Sequence, residues 1–500
     1  MRRSVMIVAG ASAPFVALAL GFSVAGCPLV AFPTPADDPD LDAGSDAAAD
    51  VAIDAAADAP PPVCVAASEC DDGDPCTSDS CVDGACTSTL APAGTACADA
   101  DLCNGAETCN GLGQCVSGAP VTIDDGDACT ADACDAATGQ ATHTKLAACG
   151  WTPTAATGAP APRQRHTAVW TGSKMIVWGG SITGAPSVTA TGGVYDPATD
   201  TWAPTSAINA PPARHSHRAA WTGSKMIVWG GFGAATYEST GGIYDPTTDT
   251  WATMSTVGAP SGRTEHAMVW TDKLLVVSGG FNGAALAGGA SYDPATDTWA
   301  ALPVAGAAGP RLSHSAVWSG ARAIFWGGSD LGDWHKDGVQ LTPGAPGVWS
   351  NDTDLVGAPG PREGHTALWT GTEMLIWGGW NGGPYLDDGG AFDPATDSNG
   401  SWSPISTTGA PSPRTEHSAV WASSAMMIWG GCGGDACVTA LGDGGVWTPG
   451  AGGGAWKPIV AAPTITPRQR HTAVWTGVEM IVWGGKAKSG VTDTGARFAP

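Results

Sequence analysis

Apolar runs of about four residues, each closed by a pair of glycines, recur from about residue 175 to the end of the chain. In the first, Met175-Ile-Val-Trp178 precedes Gly179-Gly180, and the pair returns at 230–231, 279–280, 327–328, 378–379, 430–431 and 484–485. Such a run is too short for a helix and fits a strand packed on both faces. His166-Thr-Ala-Val-Trp170 upstream is a second β-rich run, joined to the first by the turn Thr171-Gly-Ser-Lys174. Downstream, Tyr195 and Trp202 flank Asp196-Pro-Ala-Thr-Asp200. Proline in second place of a turn begun by Asp predicts a type I turn, hence a hairpin. Each unit therefore predicts four strands.

Every unit opens on Arg-x-x-His: Arg163/His166, Arg214/His217, Arg263/His266, Arg311/His314, Arg362/His365, Arg414/His417 and Arg468/His471. Successive histidines are 51, 49, 48, 51, 52 and 54 residues apart. A period near 50 with four strands per unit predicts propeller blades. The pattern resembles the kelch repeat, which has a hydrophobic strand, Gly-Gly, then Tyr and Trp separated by six residues. Tyr195/Trp202, Tyr244/Trp251 and Tyr292/Trp299 carry that signature. Later units read Leu341/Trp349, Phe392/Trp402 and Trp447/Trp456, which puts local register in doubt but not the architecture. The chain stops inside the seventh unit, at Gly495-Ala-Arg-Phe-Ala-Pro500, and the missing strand stands before the first unit as Trp151-Thr-Pro-Thr. The expected fold is all-β: a seven-bladed kelch-type propeller over 151–500, closed by its N-terminal strand.

The resemblance implies that the loop before the first strand and the loop after Gly-Gly share one face. Arginine in the first of these is often a ligand contact, so Arg163, Arg214, Arg263, Arg311, Arg362, Arg414 and Arg468 are candidates to rim a pocket. The competing reading is structural, because a residue present in every blade serves the repeat before it serves a site. The loops after Gly-Gly differ between blades. They carry Phe232 with Tyr237, Phe281, Trp334 with His335, Trp380 with Tyr385, Cys432 with Cys437, and Lys486 with Lys488. Aromatics beside Asp and Asn suit stacking on a sugar or contact with a protein partner. Cys432 and Cys437 are expected to staple their loop.

Composition divides the chain near residue 150. All 23 Trp lie at or after Trp151, and 13 of the 15 Cys lie before it. Residues 1–150 hold 22 acidic against 3 basic side chains, a balance of −19, leaving −6 of the total −25 for the rest. That acidity argues against nucleic acid as a partner. So many cysteines point to an oxidising compartment.

Met1-Arg-Arg followed by small apolar residues up to Gly26 reads as a signal peptide. Val24-Ala-Gly-Cys27 resembles the lipobox of bacterial lipoproteins, which implies cleavage before Cys27, acylation of its thiol and a membrane anchor in the cell envelope. The alternative is an ordinary secretory signal with an incidental Cys. No later stretch approaches 18 uninterrupted apolar residues, so nothing else is expected to span a membrane. Residues 28–63 contain eight Asp and no Lys or Arg, the composition of an extended tether.

Residues 64–149 carry twelve Cys, an even number that predicts an irregular, disulfide-rich module. Asp71-Asp-Gly-Asp-Pro-Cys76-Thr-Ser-Asp79-Ser-Cys81 and Asp124-Asp-Gly-Asp-Ala-Cys129-Thr-Ala-Asp132-Ala-Cys134 resemble the Cys-Thr-x-Asp-x-Cys repeats of slime-mould matrix and bacterial surface proteins. Cys70 and Cys86 are both absent from the second copy, which suggests that they bond to each other. Asp71, Asp72, Asp74 and Asp79, with Asp124, Asp125, Asp127 and Asp132, are candidate calcium ligands, since calcium takes oxygen donors. The competing reading is solvated turns.

No G-x-S-x-G, H-E-x-x-H or phosphate-binding glycine loop occurs. Kelch-like propellers include copper-radical sugar oxidases and a sialic acid epimerase. An oxidase would need a Tyr–Cys crosslink and a second Tyr, which five Tyr and one Cys-bearing propeller loop poorly supply. The expected function is a lipid-anchored surface protein binding a glycan or protein on the propeller face. The alternative is an envelope carbohydrate-active enzyme with its site at the propeller mouth.

Overall fold

The computed structural model describes residues 64–97, 101–123, 130–145, 150–344, 347–350, 355–396, 399–434 and 437–500. Cys27, the acidic tether, Asp124, Asp125 and Asp127 lie outside the described residues. The chain forms two compact units: one ends at Pro92 and includes 111–113, and the other comprises Ala93–Asn110 with Gln114–Pro500.

In the first unit Thr77–Val82 pairs antiparallel with Ala85–Leu90. Disulfides Cys64–Cys81 and Cys70–Cys86 fasten this hairpin to the segment before it. Closing a loop of this length stabilises the folded form by about 3 kcal/mol on the loop-entropy account. In the second unit, Cys97–Cys115 and Cys103–Cys134 bond short hairpins ahead of the propeller.

Seven four-stranded antiparallel sheets follow. Blade one is built from Thr167–Trp170, Met175–Trp178, Gly192–Asp196 and Thr201–Pro204, running from the axis outward. The inner strands of the other blades are Arg218–Trp221, Ala267–Trp270, Ser315–Trp318, Thr366–Trp369, Ser418–Ala422 and Thr472–Trp475. Each touches the next, and the seventh touches the first. Blade seven takes its outer strand from Gly150–Pro153, which pairs with Gly495–Ala499 in the register Phe498↔Trp151. Closure leaves no open sheet edge between the first and last blades. The altered hairpins keep their register, because Leu341↔Trp349, Phe392↔Trp402 and Trp447↔Trp456 pair as Tyr195↔Trp202 does.

The core is spread over the seams between blades. Met175–Trp178 and its counterpart Met226–Trp229 are buried at every position. Burying each such side chain contributes roughly 1.5–3 kcal/mol. The Trp that ends a second strand packs on the outer-strand Trp of the next blade, as in Trp178–Trp251 at 5.3 Å and Trp229–Trp299 at 5.5 Å. Six such pairs take up 12 of the 23 tryptophans. Gly179 (φ 69°) and Gly180 (φ 111°) then turn the chain, and a Cβ on Gly179 would run into the His217 ring of the next blade.

Candidate interaction face

The seven motif arginines are sunk into the protein, at 0–4% exposure. Arg214 shows the arrangement: Nε donates to Pro212 O, and Nη1 donates to Gly230 O and Thr240 O, at 2.7–2.9 Å. Arg163, Arg362, Arg414 and Arg468 repeat all three bonds. Arg311 makes them at 3.1–3.4 Å, while Arg263 makes the first two. Burial pulls Arg163, Arg214, Arg263 and Arg468 down to about 10, still protonated at neutral pH. Each guanidinium ties the first glycine of its blade to the loop in front of it. Its donors face carbonyls, neighbouring hydroxyls and, in Arg311, Arg362 and Arg414, an aspartate of the same blade, so these buried arginines do not rim a pocket.

Six of the seven histidines are buried and His365 is half-buried, and desolvation, followed by a neighbouring arginine charge, holds His166, His217 and His417 far below the usual range. All but His266 line a central cavity of about 550 Å³. Its mouth is formed by the residue before each histidine: Arg165, Ser216, Glu265, Ser313, Gly364, Glu416 and Arg470. All seven have left-handed backbone, with φ between 52° and 64°. For the six that are not glycine this costs about 1–3 kcal/mol each, and such strain gathers where a structure does something with it. Five backbone hydrogen bonds link neighbours around the mouth, among them Ser216 N to Arg165 O at 3.0 Å and Arg165 N to Arg470 O at 3.2 Å. Arg470 pairs with Glu416 at 3.0 Å.

Outside this ring, the residue after each arginine bridges the residue after each glycine pair, as in His215↔Phe232, Thr264↔Phe281 and Glu363↔Trp380. Two aromatic groups result. His215, Phe232, Tyr237 and Phe281 form a row across blades two and three, with centroid spacings of 5.8, 5.0 and 5.9 Å. Trp334 and Trp380 meet edge to face at 5.3 Å across blades four and five. Trp380 also bridges Tyr385, and both line a cleft of about 620 Å³ toward blade six. His335 lies 3.9 Å from Asp337 and 3.8 Å from Asp330. Cys432 and Cys437 are bonded beside that cleft.

The face is therefore a repeated scaffold with variable positions. The mouth residues were not singled out from the sequence. Their signal was available as the one place inside Arg-x-x-His, adjacent to His, that ranges from Arg to Glu to Gly.

In the cysteine-rich unit, carboxylate oxygens of Asp71, Asp72 and Asp79 come within 4.8 Å of one another. Much of their hydrogen-bonding capacity is turned on the local backbone, as Gly73 N donates to Asp71, Asp74 N to Asp72 and Cys76 N to Asp74. Asp72 N donates to Asp79, whose other oxygen is buried without a partner. Asp74 stands outside the trio, and Asp132 bonds His143 at 2.9 Å.

Comparison with known families agrees with this geometry. The family described as the KLHDC2/KLHL20/DRC7 Kelch-repeats domain matches residues 131–328 and 313–496. The Dictyostelium (slime mold) repeat matches residues 69–90. No curated protein matches the chain.

Proposed function

The chain belongs to the kelch-repeat family, and on that premise we propose that it is an interaction protein of the bacterial cell surface. Kelch propellers generally mediate protein interactions. The observation that carries the reading is the contrast on one face: the repeated Arg side chains and all the repeated His but half-buried His365 are buried, while mouth and outer-loop positions change from blade to blade. Specificity is built where a rigid scaffold holds variable loops. Half-buried aromatics at Phe232, Tyr237, Trp334, Trp380 and Tyr385 are the expected anchors for a protein partner, since Tyr and Trp dominate interface hot spots. A glycan is the competing ligand for the same aromatics. Acylation of Cys27 would hold the chain on the outer membrane or cell surface, with the acidic segment as spacer. Calcium is the candidate ion for Asp71, Asp72 and Asp79.

The test is an array of envelope proteins and glycans probed with the full chain carrying Cys27→Ser. A specific partner is expected to lose at least tenfold in affinity with Phe232→Ala or Trp380→Ala. A partner indifferent to both substitutions would place recognition elsewhere. Radiolabelled palmitate should enter the wild type and not Cys27→Ser; absence of label from the wild type removes the anchor.

A further inference from the structure

On the side opposite the glycine pairs, the seam between blades three and four differs from the two seams before it. Val194, in the third strand of blade one, packs in one cluster with Trp221, which ends the inner strand of blade two. Ile243 and Trp270 likewise share a cluster at the next seam, as do Val446 and Trp475 between blades six and seven. In blade three the same register position holds Ser291. Ser291 is shorter and more polar than Val194 or Ile243, and a cleft of about 450 Å³ is lined by Ser291 and Trp318.

Two further changes make the cleft polar. Lys174 lies 3.4 Å from Asp196 and Lys225 lies 3.5 Å from Asp245. Blade three has Leu274 at the lysine position, so Asp293 enters the cleft lining without that ammonium. Blade four replaces the Asp-Pro turn with Thr342-Pro343-Gly344, which forms the far wall. Trp318 Nε1 donates to Asp272 at 2.6 Å, which fixes the indole orientation.

We propose that this cleft binds a single carbohydrate residue. One pyranose ring suits a site of this size, within the range of small-ligand pockets. The indole of Trp318 supplies a flat apolar surface for the ring's C–H face, while a ring edge carries hydroxyls that need both donors and acceptors. Asp293 accepts, Lys273 donates, and the Thr298 hydroxyl does either. Ser291 Oγ donates to Ala300 O and keeps its acceptor lone pairs. The site is separate from the aromatic loops, and its occupancy does not depend on what those loops recognise.

Saturation-transfer NMR on the full chain with Cys27→Ser, using glucose, galactose and N-acetylglucosamine as probes, decides the matter. At least one sugar should receive saturation. The double variant Leu274→Lys/Ser291→Ile installs the residues blade two already carries, so the fold should survive, and it should weaken the signal at least tenfold. Val478→Ser, at an exposed turn of blade seven, should leave the signal unchanged. No transfer to any of the three sugars, transfer that persists in the double variant, or transfer abolished by Val478→Ser would each overturn the proposal.

Discussion

His217 Nε2 of blade two lies 2.9 Å from Thr167 Oγ1 of blade one. The same stitch joins His166 to Thr472, His365 to Ser315, His417 to Thr366 and His471 to Ser418. It fails at two seams. Blade two offers Arg218 and blade three offers Ala267 where the hydroxyl belongs, and neither ring nitrogen of His266 or His314 has a partner. Thr167→Val strands a buried nitrogen and should cost about 1–3 kcal/mol. Ala267→Ser should be neutral or stabilise by up to about 1 kcal/mol, because it restores a hydrogen bond made elsewhere in the ring. Urea-denaturation midpoints measure both, and a Thr167→Val midpoint equal to wild type contradicts the stitch.

The buried histidines also set an acid limit. Burial, with help from Arg362 and Arg468, lowers His365 and His471 to about 3, against an ordinary value of 6.5. The unfolded chain therefore binds protons that the folded ring refuses. Their contribution is fully present above pH 6.5 and is lost as pH falls toward 3. Denaturation midpoints should drop steadily from pH 6.5 to 4, with proton uptake on unfolding. A flat profile across that window would mean the rings titrate normally.

Two arginines two residues apart should behave in opposite ways. Arg163 is buried with its donors on Ala161 O, Gly179 O and Thr191 O. Arg163→Ala leaves three carbonyls without their donors and should cost about 3 kcal/mol or more, from charged hydrogen bonds worth roughly 1.5–3 kcal/mol each. Arg163→Lys should rescue little of this, since an ammonium lacks the planar fork. Arg165 lines the mouth instead, and Arg165→Ala should stay within about 0.5 kcal/mol of wild type while changing partner affinity. Melting curves of the three variants separate the roles.

That contrast shows what the sequence can convey. The glycine pairs, the Arg-x-x-His spacing and the displaced Trp151 strand make the seven blades and their closure legible, because a repeat marks equivalent positions. Equivalence does not tell where a side chain points. Arg163 and Arg165 are told apart by the left-handed backbone at Arg165, which sequence does not display. The aromatics Trp334 and Trp380 are visible as exceptions to the repeat, but their contact across blades needs the ring geometry. Ser291 is harder still: it matters only because Val194 and Ile243 fill the same place in blades whose alignment the strand register supplies.

Closure itself yields the final prediction. Phe498 pairs with Trp151, whose ring lies 5.0 Å from Trp429 of blade six, so the added strand packs across a seam as well as along its own sheet. Thr154 N also donates to Gly495 O at 3.0 Å. Deleting residues 151–157 should unzip Gly495–Ala499 from its partner, open the seam between blades six and seven, and expose a strand edge that templates association. The melting temperature should fall and light scattering should rise with protein concentration. A chain without these residues that melts like the wild type and stays monomeric would show that the ring does not depend on this strand for closure.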